Sequence, residues 1–138
     1  MGDTIQLNTT GTQCIGAYVA RPEGTPKGGI VVVQEIFGVN AHMRHVTDRF
    51  AAHGYVAIAP AFFDHFETGV ELGYDDAGMK RGRELVGELQ TSGSYDGPVS
   101  NRILAARVTL ERVGAVVAMR AGAARLTSAH IDTAQLTR

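Results

Sequence analysis

The sequence predicts an α/β protein with a mostly parallel sheet flanked by helices. Three observations predict it. Ile30-Val31-Val32-Val33 is a continuous β-branched run, which suits a strand buried on both faces. Tyr55-Val56-Ala57-Ile58-Ala59-Pro60 is a second apolar run, ended by proline. The segment between them has helical periodicity, so strand, helix and strand succeed one another within roughly thirty residues, as a crossover unit requires.

The elements follow in chain order. Thr4–Leu7 alternates weakly and predicts a short edge strand. Asn8-Thr9-Thr10-Gly11 is a turn signal, and Cys14–Ala20 reads as a second strand. A Pro/Gly-rich loop over Arg21–Gly29 leads into the run at Ile30. Asn40 then offers an N-cap, and Met43, Val46, Phe50 and Ala51 recur at three-to-four spacing as one apolar stripe. Gly54 stands where a helix would end. Ala61–Asp76 reads as a loop carrying Phe62, Phe63, Phe66 and Tyr74. Asp76–Gln90 predicts a helix weakened by Gly78, Gly82 and Gly87. Val99–Val113 predicts another helix, and Ala115–Met119 a further buried strand adjacent to the other two. From Arg120 the character changes. The segment is rich in Ala, Gly, Arg and Thr, and Arg120, Arg125 and Arg138 face a single acid, Asp132.

Composition narrows the function classes. With 138 residues, 44% of them hydrophobic and 20% charged, the chain fits one globular domain over 1–138. A net charge of -1 supplies no field that would draw it to nucleic acid or an anionic membrane. The lone Cys14 allows no internal disulfide. The start, Met-Gly-Asp-Thr-Ile-Gln-Leu, has no basic segment followed by an apolar run, and Ile30–Val33 is too short to span a bilayer. A cytoplasmic location is the resulting default expectation.

The run Gln34-Glu35-Ile36-Phe37-Gly38-Val39-Asn40 carries the chemistry. A buried strand ends on a carboxylate, followed by a glycine and a helix. Ligands of open α/β sheets bind outside the carboxyl ends of the strands, so Glu35 stands at a site position. The amides of Ile36 and Phe37 follow the strand without a sheet partner, and such amides can form an oxyanion hole. A solvated acid, or a partner for a nearby arginine, is the plainer reading of Glu35. A pocket beside Glu35, formed partly by Phe37, Phe62 or Phe63, is expected. His42 and His45 lie at i, i+3, but no third ligand is spaced with them. No phosphate loop, paired-cysteine zinc motif or basic stripe is present, so no cofactor, metal or nucleic acid is expected.

The same heptapeptide resembles the signature of the dienelactone hydrolase family. The resemblance continues through His42-Met43-Arg44, Ala52-His53-Gly54-Tyr55-Val56-Ala57 and Ala59-Pro60-Ala61-Phe62-Phe63, and upstream in Ala17-Tyr18-Val19-Ala20-Arg21-Pro22-Glu23-Gly24. It implies a partial α/β-hydrolase fold, family-like over 1–119 with an anomalous tail at 120–138. It also implies hydrolysis of a small-molecule lactone or ester by a Cys or Ser nucleophile with His and Asp. On this resemblance Glu35 matches the strand-end glutamate that contacts the nucleophile, and the Ile36 amide helps hold the oxyanion. Phe37 and Arg81 would contact substrate. Arg83 is an equal choice by position, and a solvated helix-face arginine is the alternative for both.

The departures are as informative. The nucleophile elbow, Gly-x-Cys/Ser-x-Gly, should follow the strand at Ala115–Met119. The sequence there is Met119-Arg120-Ala121-Gly122-Ala123-Ala124, without Ser, Cys or Thr. Cys14 lies in an early strand, and Ser128 lacks flanking glycines. His42, His45, His53 and His65 come too early for the triad, and His130 matches nothing. An incomplete chain from a truncated or frameshifted gene is therefore expected, inactive alone and prone to self-association through an exposed sheet edge. The alternative is a short non-catalytic protein that binds a small acid or a partner. Translating the downstream DNA in the other two frames separates the two.

Overall fold

The computed structural model describes residues 2–8, 14–91 and 117–120, the last four by backbone alone. Five strands form one sheet: β1 Asp3–Asn8, β2 Cys14–Ala20, β3 Gly28–Val32, β4 Tyr55–Pro60 and β5 Val117–Arg120. Among the described residues two helices accompany it, α1 Ala41–Ala52 and α2 Asp76–Thr91, with a 3₁₀ turn at Phe62–His65.

The strand order is β1-β2-β4-β3-β5. β3 pairs parallel with β4 through Ile30↔Ala57 and Val31↔Ile58, and parallel with β5 through Ile30↔Ala118. β3 thus lies between the other two strands read from the apolar runs, as expected of neighbours, but β5 ends the described sheet and is not the inner strand expected at Ala115–Met119. The sheet as a whole is mixed rather than mostly parallel. β1 and β2 form an antiparallel hairpin, and β2 runs antiparallel to β4. For β1 and β2 the physical reason is connection length. A short turn can only return a strand antiparallel, whereas β3 and β4 are separated by a whole helix.

The composition of β3 and β4 sets the core. All of β3 is buried, and so is β4 after its first residue. Their side chains alternate between two faces. Val31, Val56 and Ile58 join Leu7, Ile15, Ala17 and Val19 on one. Ile30, Val32, Ala57 and Ala59 join Tyr18, Ala20, Met43 and Ala51 on the other, beneath α1.

α1 starts where the sequence places it. The Asn40 side chain accepts from the Met43 amide at 3.1 Å, satisfying an orphan donor of the first turn. Gly54, just beyond its end, has φ 95°, which favours glycine. The buried stripe gains Thr47, which the apolar spacing does not include. Met43, Thr47 and Ala51 are buried, while Val46 and Phe50 are partly so. Thr47 is tolerated there because its hydroxyl donates to the Met43 carbonyl at 2.8 Å.

Tyr18 fixes the hairpin to α1. Its hydroxyl donates to Asp48 at 2.9 Å and accepts from the Gly2 amide at 2.6 Å. Burial, and then the Asp48 carboxylate, push this phenol above the usual tyrosine range. A folded-state pKa above the unfolded one means that stability is fully present below the unfolded value, near 10, and is lost as pH rises through the folded one. Urea unfolding of the wild type should therefore weaken above about pH 10, and Tyr18→Phe should flatten that alkaline limb.

α2 matches the predicted Asp76–Gln90 helix with one further residue, and the Asp75 carboxylate accepts from the Gly78 amide at 2.7 Å to start it. The expected helix at Val99–Val113 and most of the tail lie outside the described residues. Among the described residues no helix is long and apolar enough to cross a membrane.

Candidate active site

The site is built where β3 and β4 end side by side. Beyond β3, Val33 and Gln34 are still buried. The Gln34 side chain accepts from the Phe62 amide at 2.9 Å and donates to the Glu35 carbonyl at 3.3 Å. It thus ties the exit of β3 to the chain leaving β4 and fixes the backbone from which Glu35 projects.

Glu35 to Gly38 is a tight reversal. The Gly38 amide reaches the Glu35 carbonyl at 3.4 Å, and Gly38 has φ 77°, where a Cβ is strongly disfavoured. A Cβ there would also lie 2.0 Å from the Val70 carbonyl oxygen. The reversal is clamped from outside by residues 70–74. Gly38 bridges to Glu71, the Leu72 amide donates to the Phe37 carbonyl at 2.9 Å, and Asn40 Nδ2 donates to the Leu72 carbonyl at 3.2 Å. Arg44 completes the clamp with a two-pronged ion pair to Glu71 and a 2.9 Å bond to the Val39 carbonyl. The Glu71 carboxylate holds the Arg44 guanidinium above its usual pKa.

This clamp delivers Tyr74 to Glu35. The phenol donates to Glu35 Oε2 at 3.1 Å. The Tyr74 ring lies 4.4 Å from that of Phe37, tilted 51°, and 6.0 Å edge-on from His42. Partial burial, then the Glu35 carboxylate, raise the phenol above the usual tyrosine value, against a lowering contribution from Asn40.

The sequence places no role on Tyr74. Its only signal is that it is a large aromatic in a polar run, Gly73-Tyr74-Asp75-Asp76.

Ile36 is held from the other side by α2. A Cβ on Gly82 would stand 2.4 Å from the Ile36 carbonyl oxygen, and one on Gly78 would stand 1.9 Å from that of Gly73. These two glycines, which weaken the helix on propensity alone, are the points at which it touches the loop below. The Ile36 and Phe37 amides have no acceptor among the described residues. Phe37 is buried against Tyr74 rather than open.

Phe62 and Phe63 are core residues at 3% exposure, Phe63 packing on Val70 and Leu85, and the aromatic that bonds Glu35 is Tyr74. Arg81 lies on α2 among Glu67, Glu84 and Glu88, with side-chain exposure of 38%. The Glu67 hydrogen bond raises its pKa further. A substrate carboxylate would have to compete with these three acids. Among the described residues no three His, Cys, Asp or Glu side chains converge to hold a metal.

A mixed sheet with a helical crossover is the architecture the chain shares with solved dienelactone hydrolases of the α/β-hydrolase class. The chain matches the dienelactone hydrolase family model over residues 15–123, and it belongs to that family. It is 49% identical over 72 residues to a Synechocystis sp. protein named "Putative carboxymethylenebutenolidase", covering 51% of this chain and 29% of that one. An Azospirillum brasilense protein of the same name is 53% identical over 57 residues, 41% of this chain and 25% of its own. A crystal structure of "Putative Dienelactone Hydrolase" from Klebsiella pneumoniae superposes with TM-score 0.70 at 27% identity, over 88% of this chain and 49% of that one. The chain thus spans less than a third of these curated relatives and about half of the solved structure.

Proposed function

We propose that this chain supplies the acid and oxyanion half of a site for hydrolysing small-molecule lactone or ester bonds, and that it has no nucleophile of its own. The carrying observation is the pairing of Glu35, held at the carboxyl edge of β3, with the Ile36 amide beside it, which has no acceptor among the described residues. Glu35 would contact and help activate a nucleophile, and the Ile36 amide would donate to the oxyanion of the tetrahedral intermediate. Phe37 would bound the acyl side. Arg81 would meet a substrate carboxylate only by leaving its three acids.

Covalent ester cleavage needs a nucleophile with a base beside it. The stretch after β5, Ala121-Gly122-Ala123-Ala124, offers no such side chain. The second oxyanion donor, normally the amide after the nucleophile, has no elbow to place it. Without triad members, an intact site gives only about 10³–10⁴-fold assistance over water. Steady-state assays with an aryl acetate and a dienelactone should show no turnover above background for the wild type, Glu35→Ala or Cys14→Ala. Robust turnover that disappears in Cys14→Ala would mean that Cys14 is the nucleophile and that the proposal is wrong.

A further inference from the structure

We infer that Tyr74 is a positioning residue for Glu35, its phenol holding the carboxylate at the carboxyl edge of the sheet. The inference rests on the reading of Glu35 as the acid of the site. Three observations carry it.

The first is the contact itself, a 3.1 Å hydrogen bond between residues 39 apart in sequence. The second is how firmly Tyr74 is placed although the residue is 59% exposed. Two residues earlier, Leu72 is bonded through its amide to Phe37 and through its carbonyl to Asn40. One residue later, Asp75 is fixed by the Gly78 amide. Phe37 and His42 then limit the ring from two sides. An exposed tyrosine fastened on both flanks and packed at a tilt on a buried ring is restrained without being part of the core. The third is the geometry left to Glu35. Tyr74 occupies Oε2, and Oε1 has no partner among the described residues. The phenol thus fixes the direction of a side chain with three rotatable bonds and leaves one oxygen for a reacting group. Fixing such a side chain in advance removes an entropic cost from the reaction.

The test uses this polypeptide with ¹³Cζ-labelled tyrosine, and Tyr74→Phe assigns the signal. Following that carbon by NMR from neutral to alkaline pH, Tyr74 should titrate above the ordinary tyrosine value. Glu35→Gln, which removes the charge, should shift the titration downward. Glu35→Asp, which keeps the charge but withdraws it by one methylene, should shift it down by less. Thermal unfolding of each variant, followed by circular dichroism, confirms that the fold is intact, and Glu35→Asp serves if Glu35→Gln does not fold. A Tyr74 titration unchanged by either substitution overturns the inference. That result would remove Tyr74 from the site while leaving the family reading of Glu35 standing, and failed turnover assays would leave the Tyr74 expectation as it is.

Discussion

Gly38→Ala should lower stability by about 3 kcal/mol and detach Tyr74 from Glu35. Two costs combine. A left-handed conformation at φ 77° costs a non-glycine residue roughly 1–2 kcal/mol. The new methyl would also sit 2.0 Å from the Val70 carbonyl oxygen, a contact that only backbone movement relieves. That movement must occur in the segment that carries Glu71, Leu72 and Tyr74. Gly69→Ala is the control, because Gly69 also has positive φ, 73°, but nothing lies within 4 Å of its added Cβ. It should lose only the conformational part, about 1 kcal/mol. Urea unfolding with an unchanged m-value measures both losses. Equal losses for the two would show that the Gly38–Val70 contact has no weight.

Leu85→Ala should cost about 3 kcal/mol, within the range for a buried leucine truncated to alanine. Leu85 is fully buried with Phe63 and Val70, and those two belong to the chain after β4 and to the clamp over Glu35. Removing it leaves a cavity under the face of α2 that also presents Gly82 to the Ile36 carbonyl. A loss below about 1 kcal/mol, read from the urea midpoint, would mean that α2 is not packed as described.

The parallel core was legible because its signal is local. A continuous β-branched run needs burial on both faces wherever it lies, and Asn40 and Gly54 mark the ends of α1 by chemistry that acts within three residues. The antiparallel pairing of β2 with β4 was not legible, since nothing in either strand names its neighbour. Gly78 and Gly82 show the same limit from another side. Helix propensity counts each as a weakness, and only the fold shows that α2 approaches the Gly73 and Ile36 carbonyls too closely for a Cβ. Glu35 and Ile36 could be singled out because the strand end is a site position by topology. Tyr74 could not, because its role depends on a clamp assembled from Gly38, Asn40, Arg44 and Glu71.

Covalent capture decides most directly whether this chain holds half a hydrolytic site. The folded polypeptide is treated with a fluorophosphonate, which traps activated hydroxyls, and with iodoacetamide, which traps activated thiols, and labelled residues are mapped by mass spectrometry. The expected result is no rapid stoichiometric labelling by the phosphonate, and alkylation of the exposed Cys14 no faster in the folded chain than in the denatured one. Rapid one-to-one phosphonylation of Ser128 or any other hydroxyl, or alkylation of Cys14 accelerated by folding, would contradict the absence of a nucleophile.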